Sequence, residues 1–153
     1  MNNEEKNYKS LICFVVFPNP YKLHFKMIKG ERTPILFESG GGQDASQWDS
    51  IATIVHQRLK ATVITYDRAG FGQSSLDTLD YTILQEIKSL ESALQKFGFS
   101  NEKLLLVGHS LGGFYNRVYA ARHCSLTKYV DQLIEHSAIR KEMPKSSQAD
   151  YIK

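Results

Sequence analysis

The residue of this sequence with the clearest capacity for chemistry is Ser110, which stands in a Gly-x-Ser-x-Gly motif at 108–112. The apolar run Leu104–Val107 predicts a short buried strand before the motif, and a helical pattern begins directly after it. This arrangement is typical of a nucleophile elbow, a strained strand-to-helix turn that exposes the serine hydroxyl. The sequence therefore predicts Ser110 as a catalytic nucleophile.

The neighbours of Ser110 have predicted supporting roles. Side chains at Gly108 and Gly112 would collide with nearby backbone in so tight a turn, and His109 completes the elbow motif. When a serine attacks a carbonyl group, the oxyanion that forms needs N–H donors. One donor in this arrangement is the backbone N–H after the nucleophile, here Leu111.

The second oxyanion donor is expected from a glycine-rich loop after an earlier strand. The triple glycine at 40–42 has that place in the chain order, because it follows the buried strand predicted at Ile35–Phe37. Glycine lets the backbone come close to a substrate oxygen, so this composition suits an oxyanion hole.

Further strands are predicted on both sides of these segments. Strands are predicted at 11–17, which is apolar, at 62–66, which is expected to be buried, and at 129–134, which is the last. Residues 21–27 alternate and predict a half-exposed strand. Its wet face is assigned to Lys22, His24 and Lys26, so His24 is interpreted as a surface residue.

Three helices are predicted between the strands. The first begins at a capping box formed by Ser46–Asp49, buries Ile51, Ile54, Val55 and Leu59, and leaves His56 in solvent. The second begins at the Thr82/Gln85 capping box and stops at Gly98. The third runs from Leu111 to about Arg122, with its inward face assigned to Tyr115, Val118 and Tyr119.

The alternation of strands and helices predicts the α/β class, a mostly parallel sheet with helices on both faces. In such sheets the chemistry gathers at the carboxyl ends of the strands. The loops at 38–44, 67–75 and 108–113 all follow predicted strand ends. We therefore expect these three loops to meet at one edge of the sheet.

Three segments together resemble the α/β-hydrolase superfamily, in its branch of small esterases and acyl hydrolases. They are Ser39–Trp48, Thr65–Ser74 and Gly108–Gly113, and the resemblance covers 21–137. Carried over by position, the resemblance implies Ser110 as nucleophile and the N–H groups of Gly41 and Leu111 as the oxyanion hole. It also implies that Asp67, Arg68 and Gly70 belong to a structural loop beside the site.

The sequence departs from this family in its acid and base. The family order is serine, acid, histidine, and only His123 and His136 follow Ser110. His123 is predicted at the far end of the helix that leads away from the elbow. For His136 the acid would be Asp131 or Glu135, of which the first is too distant along a strand and the second faces the other side of the sheet. We therefore expect the catalytic acid and base to be missing from this chain.

This departure predicts an α/β-hydrolase-like sheet truncated after the sixth strand. The domain prediction is an atypical leader at 1–20, the amino-terminal half of a hydrolase domain at 21–137, and a polar tail or the start of a lid at 138–153. The last strand would then be an exposed apolar edge, which favours self-association.

Composition excludes several other classes. A chain of 153 residues with net charge +3 and no basic run predicts one domain that does not bind nucleic acid. Its two cysteines predict free thiols in a reducing, cytoplasmic compartment.

The apolar run at 11–17 is too short to insert stably into a membrane. No metal-ligand spacing and no nucleotide-binding glycine motif is present in the sequence, so no metal and no cofactor is predicted.

Two hypotheses follow. The first is a serine hydrolase that acts on a small-molecule carboxylic ester, thioester or amide through an acyl-enzyme. The second is a catalytically inactive fragment or binding module of the same fold, which the missing acid and base favour. Whether the chain is an enzyme is therefore left open by the sequence.

Overall fold

The computed structural model describes residues 10–17, 22–76, 81–125 and 127–133 of the chain. Six strands in these residues form one sheet with the order β1-β2-β4-β3-β5-β6. The strands are β1 (Ser10–Val16), β2 (Lys22–Ile28), β3 (Arg32–Glu38), β4 (Ala61–Tyr66), β5 (Leu104–His109) and β6 (Thr127–Leu133). β4, β3, β5 and β6 run parallel to one another. β2 pairs antiparallel with β4, and β1 pairs antiparallel with β2. The fold is thus the predicted α/β sheet.

Three helices connect the parallel strands. They are α1 (Asp49–Leu59), α2 (Ile83–Lys96) and α3 (Leu111–Arg122). α2 begins and ends as predicted, because the Thr82 hydroxyl accepts from the N–H of Gln85 and Gly98 has a φ of +91°. The last strand, predicted at 129–134, is present as β6.

The helices cover both faces of the sheet and enclose two cores. On one face α2 and α3 pack on alternate residues of the strands, among them Leu36, Ile64 and Leu106. On the other face α1 packs through Ala52 beside Trp48, against Ile35, Phe37 and Val63. Because successive strand residues point to opposite faces, β3 and β4 contribute to both cores.

The prediction that His24 lies on the surface is wrong. Its side chain is fully buried, and its Nδ1 donates to Oδ2 of Asp67 over 2.7 Å. β2 is an interior strand between β1 and β4. The alternation in the sequence predicted a solvent-facing side of this strand, but not every residue on that side is exposed. The lysines on either side, Lys22 and Lys26, do reach solvent.

The predicted inward face of α1 is wrong for three of its four residues, since only Val55 packs on the core. Ile51, Ile54 and Leu59 are between 43% and 50% exposed, whereas His56 is buried and donates from Nδ1 to the carbonyl of Ala61 over 2.8 Å. The helix thus turns a face of Ala52 and His56 to the sheet. An imidazole with a backbone acceptor is satisfied in the interior, so hydropathy alone assigned the faces incorrectly.

The predicted capping box at Ser46–Asp49 is not formed. Instead Asp44 accepts from the N–H of Ser46 over 2.9 Å and caps a 3-10 turn at Ala45–Trp48, after which α1 begins at Asp49. Hydrogen bonds from Ser46 lower the pKa of Asp44, which keeps this cap charged.

Several predictions lie outside the described residues. These are the parts of the 1–20 leader at 1–9 and 18–20, the acid and base candidates Glu135 and His136, and the tail or lid at 138–153.

Candidate active site

The backbone at Ser110 is a strained junction between a strand and a helix. β5 ends at His109, α3 begins at Leu111, and Ser110 between them has φ +50° and ψ −115°. Positive φ is uncommon for a residue with a side chain and is found mostly where function or surroundings require it. Ser110 is also exposed to solvent.

Two glycines make this junction possible. A β-carbon on Gly112 would lie 2.3 Å from the carbonyl oxygen of Glu38, and one on Gly108 would lie 2.7 Å from the N–H nitrogen of Gly113. Both distances are far below van der Waals contact. The start of α3 can therefore pack against the end of β3 only because these positions lack side chains.

The register of the sheet brings the glycine loop to the elbow. Glu38, the last residue of β3, pairs with Gly108 of β5. The loop that follows, Ser39–Asp44, consequently lies beside the elbow, where a β-carbon on Gly41 would be 3.6 Å from the Leu111 side chain. The N–H of Leu111 is at the first position of α3 and has no partner within the helix.

The loop is fixed by bonds at both of its ends. The N–H of Gly40 donates to the Gln47 side chain over 3.0 Å, and the Ser39 hydroxyl donates to the carbonyl of Asp44 over 2.9 Å. A turn closes between the two, since the N–H of Gln43 donates to the carbonyl of Gly40.

Asp67, at the end of β4, connects three segments. Its Oδ1 accepts from the N–H of Ala45 over 2.8 Å, and its Oδ2 accepts from His24 and from the N–H of Gln73. The carboxylate is buried, and a β-carbon on Gly72 would lie 2.3 Å from it. Asp67 therefore holds the 3-10 turn after the glycine loop, and it is not exposed to a substrate.

Arg68 holds the other end of the glycine loop. Its guanidinium group is buried and donates to the carbonyls of Ser39 and Gly40. It also lies 3.7 Å from the buried carboxyl of Glu38, which accepts from the Tyr66 hydroxyl over 2.5 Å. Burial raises the pKa of Glu38 to about 8, against the opposing effects of Tyr66 and Arg68.

A second buried carboxyl supports the loop after β4. Glu86 of α2 accepts from the N–H of Ala69 over 2.7 Å and from the hydroxyl of Tyr81, which is 3.1 Å from that of Tyr115. Burial raises the pKa of both tyrosines above their ordinary value, so they remain hydrogen-bond donors. Glu86 thus fixes the backbone of the loop after β4 at Ala69.

The side chains of three described histidines bind groups other than Ser110. His24 donates to Asp67, His56 donates to Ala61, and His123 lies 2.9 Å from Glu91 at the end of α3. The position of His123 agrees with the expectation that it lies away from the serine. His109 packs against the glycine loop, since a β-carbon on Gly40 would lie 2.5 Å from its Nδ1.

The described part of the chain contains no group of three or more His, Cys, Asp or Glu side chains arranged to hold a metal ion. Within the same residues, none of the helices combines the length and the apolar character that crossing a membrane requires.

Comparison with known proteins identifies the class. Residues 35–139 match the model of the alpha/beta hydrolase family, which covers more than half of the chain, and the chain therefore belongs to that family.

Among curated relatives, a proline iminopeptidase of Saccharolobus solfataricus is 32% identical over 124 residues, which cover 79% of this chain and 37% of the relative. A (lyso)-N-acylphosphatidylethanolamine lipase of Bos taurus is 29% identical over 133 residues, which cover 80% of this chain and 36% of the lipase. The chain thus spans little more than a third of the length of these two relatives.

A solved structure has the same fold. An alpha/beta hydrolase from Novosphingobium aromaticivorans superposes with a TM-score of 0.69 and 23% identity, over 82% of this chain and 43% of that one. The two curated relatives differ in what they act on, so the family alone does not select a substrate.

No signal in the sequence identified Glu38 as part of the site, and Arg68 was predicted only as part of a structural loop. Glu38 is the last residue of β3, and Arg68 stands two residues after the end of β4, which the register places beside β3. A charged residue at the end of each of two adjacent parallel strands is a signal for a buried pair, but the sequence does not show which backbone groups the arginine binds.

Proposed function

We propose that this chain carries the nucleophile and oxyanion hole of a serine hydrolase that cleaves a carboxylic ester, thioester or amide. The observation that supports this most directly is the backbone of Ser110, an exposed serine at positive φ at the start of α3. An alcohol held in this way is accessible to a carbonyl carbon, and the positive end of the helix favours negative charge beside it.

In this reaction the Ser110 oxygen bonds to the carbonyl carbon, and the carbonyl oxygen becomes an oxyanion. The N–H groups of Leu111 and Gly41 are the proposed donors to that oxygen. When the tetrahedral intermediate collapses, the alcohol, thiol or amine leaves and an acyl-enzyme remains, which water then hydrolyses.

Proton transfer needs a base. Among the described histidines, His24, His56 and His123 bind other groups and His109 packs against the glycine loop, so we assign none of them this role. Without a base, turnover falls by several orders of magnitude, and the remaining rate comes from binding and oxyanion stabilisation. This observation favours the second candidate function, a catalytically inactive or binding form of the same fold.

Labelling by a fluorophosphonate and hydrolysis of a short acyl ester separate the two. We expect the purified chain to be labelled on Ser110, and Ser110→Ala to abolish the labelling. Ser50→Ala is the matched control, because Ser50 is an exposed serine on α1. Labelling without measurable ester turnover would favour the inactive form, whereas equal labelling of the Ser110→Ala variant would refute the nucleophile assignment.

A further inference from the structure

The buried guanidinium group of Arg68 holds two successive peptide groups of the glycine loop. It donates from Nη1 to the carbonyl of Ser39 and from Nη2 to the carbonyl of Gly40, and only 2% of its side chain is exposed. The guanidinium group is planar and rigid, so two such bonds fix the orientation of the peptides as well as their position.

The orientation of one of these peptides sets the direction of a candidate oxyanion donor. The carbonyl of Gly40 and the N–H of Gly41 belong to the same peptide group, which is trans. In a trans peptide these two groups point in opposite directions. Because the carbonyl faces Arg68, the N–H of Gly41 faces away from it, and Gly41 lies against Leu111 at the elbow.

Arg68 itself is held on several sides. The Glu38 carboxyl lies 3.7 Å from Nη1, and the Tyr66 hydroxyl fixes that carboxyl. The rings of Tyr115 and Phe71 lie 5.0 Å and 5.8 Å from the guanidinium carbon. A group enclosed in this way keeps one geometry, which is what a preorganised donor requires.

We propose that Arg68 is a positioning residue for acyl transfer at Ser110, acting through the Gly40–Gly41 peptide. It aims the Gly41 N–H at the developing oxyanion, and a charged donor on the carbonyl of that peptide makes the N–H a stronger donor. The inference rests on the proposed function. A lysine at this position carries the charge without the fork that reaches two carbonyls.

The test is the kinetics of fluorophosphonate labelling. In this reaction the bond from the Ser110 oxygen to phosphorus forms, the P–F bond breaks and fluoride leaves, and the hydroxyl proton passes to water. The phosphoryl oxygen takes the oxyanion position. For Arg68→Lys and Arg68→Ala we expect the maximal rate constant to fall by roughly 100-fold, as when an oxyanion donor is lost. The probe concentration that gives half the maximal rate should stay unchanged. Arg58→Lys, on the exposed side of α1, is the control.

Rescue distinguishes positioning from a purely structural role. Guanidinium ion at millimolar concentration should restore the labelling rate of Arg68→Ala, whereas methylammonium and sodium chloride at matched ionic strength should not. A wild-type rate in Arg68→Ala, or a loss in folded protein that guanidinium does not reverse, overturns the proposal. If the wild-type chain is not labelled at all, the proposed function itself fails.

The wild-type chain supplies a second test if the variants do not fold. When the phosphoryl oxygen accepts from the Gly41 N–H, the carbonyl of the same peptide becomes a better acceptor. The Nη resonances of Arg68 and the carbonyl carbon resonance of Gly40 should therefore shift on labelling. Resonances that do not move when Ser110 is labelled overturn the proposal.

Discussion

The elbow at Ser110 and the glycine loop at Ser39–Asp44 lie side by side, and they are held in different ways. The elbow is held by close backbone packing, which Gly108 and Gly112 permit because they lack side chains. The loop is held by side chains from the end of β4, Asp67 at one end and Arg68 at the other. The geometry of the tight turn requires residues without side chains, whereas the geometry of the open loop requires side chains from a distant part of the sequence.

The strongest test of this difference is Gly112→Ala. The added β-carbon would lie 2.3 Å from the Glu38 carbonyl oxygen and 2.7 Å from that of Ser39, and backbone atoms cannot move aside cheaply. We expect a loss of about 3 kcal/mol in the free energy of unfolding, measured in urea. A loss below about 1 kcal/mol would mean that the elbow is not limited by packing.

The loop support is tested by Asp67→Asn. An amide replaces one acceptor oxygen, so the N–H groups of Ala45 and Gln73 and the imidazole of His24 cannot all stay bonded. We expect a loss of about 2 kcal/mol in urea unfolding. The control is Asp49→Asn, which removes a surface pair with Lys26 and should change the free energy by less than about 1 kcal/mol. Equal effects of the two substitutions would contradict a special role for Asp67.

The pH dependence of stability separates the loop support from the elbow, because only the support contains the buried carboxyl of Glu38. Its pKa is raised from 4.5 to about 8, so the folded chain keeps a proton that the unfolded chain loses. The resulting stabilisation is complete below pH 4.5 and is lost as the pH rises through 8. Its slope approaches about 1.4 kcal/mol per pH unit between the two values.

Glu38→Gln should remove this contribution. The difference in unfolding free energy between wild type and variant should change steadily from pH 5 to pH 8 and level off above it. A difference that does not depend on pH would show that Glu38 has no raised pKa in the folded chain.

The smallest effects are expected within the loop itself. Gly42 has a φ of +74° and open space around it, so Gly42→Ala should cost only about 1 kcal/mol from backbone strain. Gly41→Ala, at a position without positive φ, should change the unfolding free energy by about 0.5 kcal/mol or less. If either variant lost as much unfolding free energy as Gly112→Ala, the loop and the elbow would not differ in how they are held.

Local sequence signals predicted much of the fold. α2 has a capping residue at Thr82, a glycine stop at Gly98 and an apolar stripe, and all three are in the structure. α1 lacks such consistency, since Ile51 and Ile54 are exposed and His56 is buried. A short helix with apolar residues on several sides can bury more than one face, and its packing on the sheet decides which face is buried.

The sequence by itself determined the elbow, because the residues that form it are neighbours in the chain. A serine between two glycines after an apolar strand can adopt few other local structures. It also determined which loops meet, because parallel strands place their carboxyl ends at one edge of the sheet. Only the tertiary structure decided that Asp67 binds His24 and that Arg68 binds the carbonyls of Ser39 and Gly40. Those bonds join residues 28 to 43 positions apart, and their partners are chosen by strand register and burial, which no local pattern records.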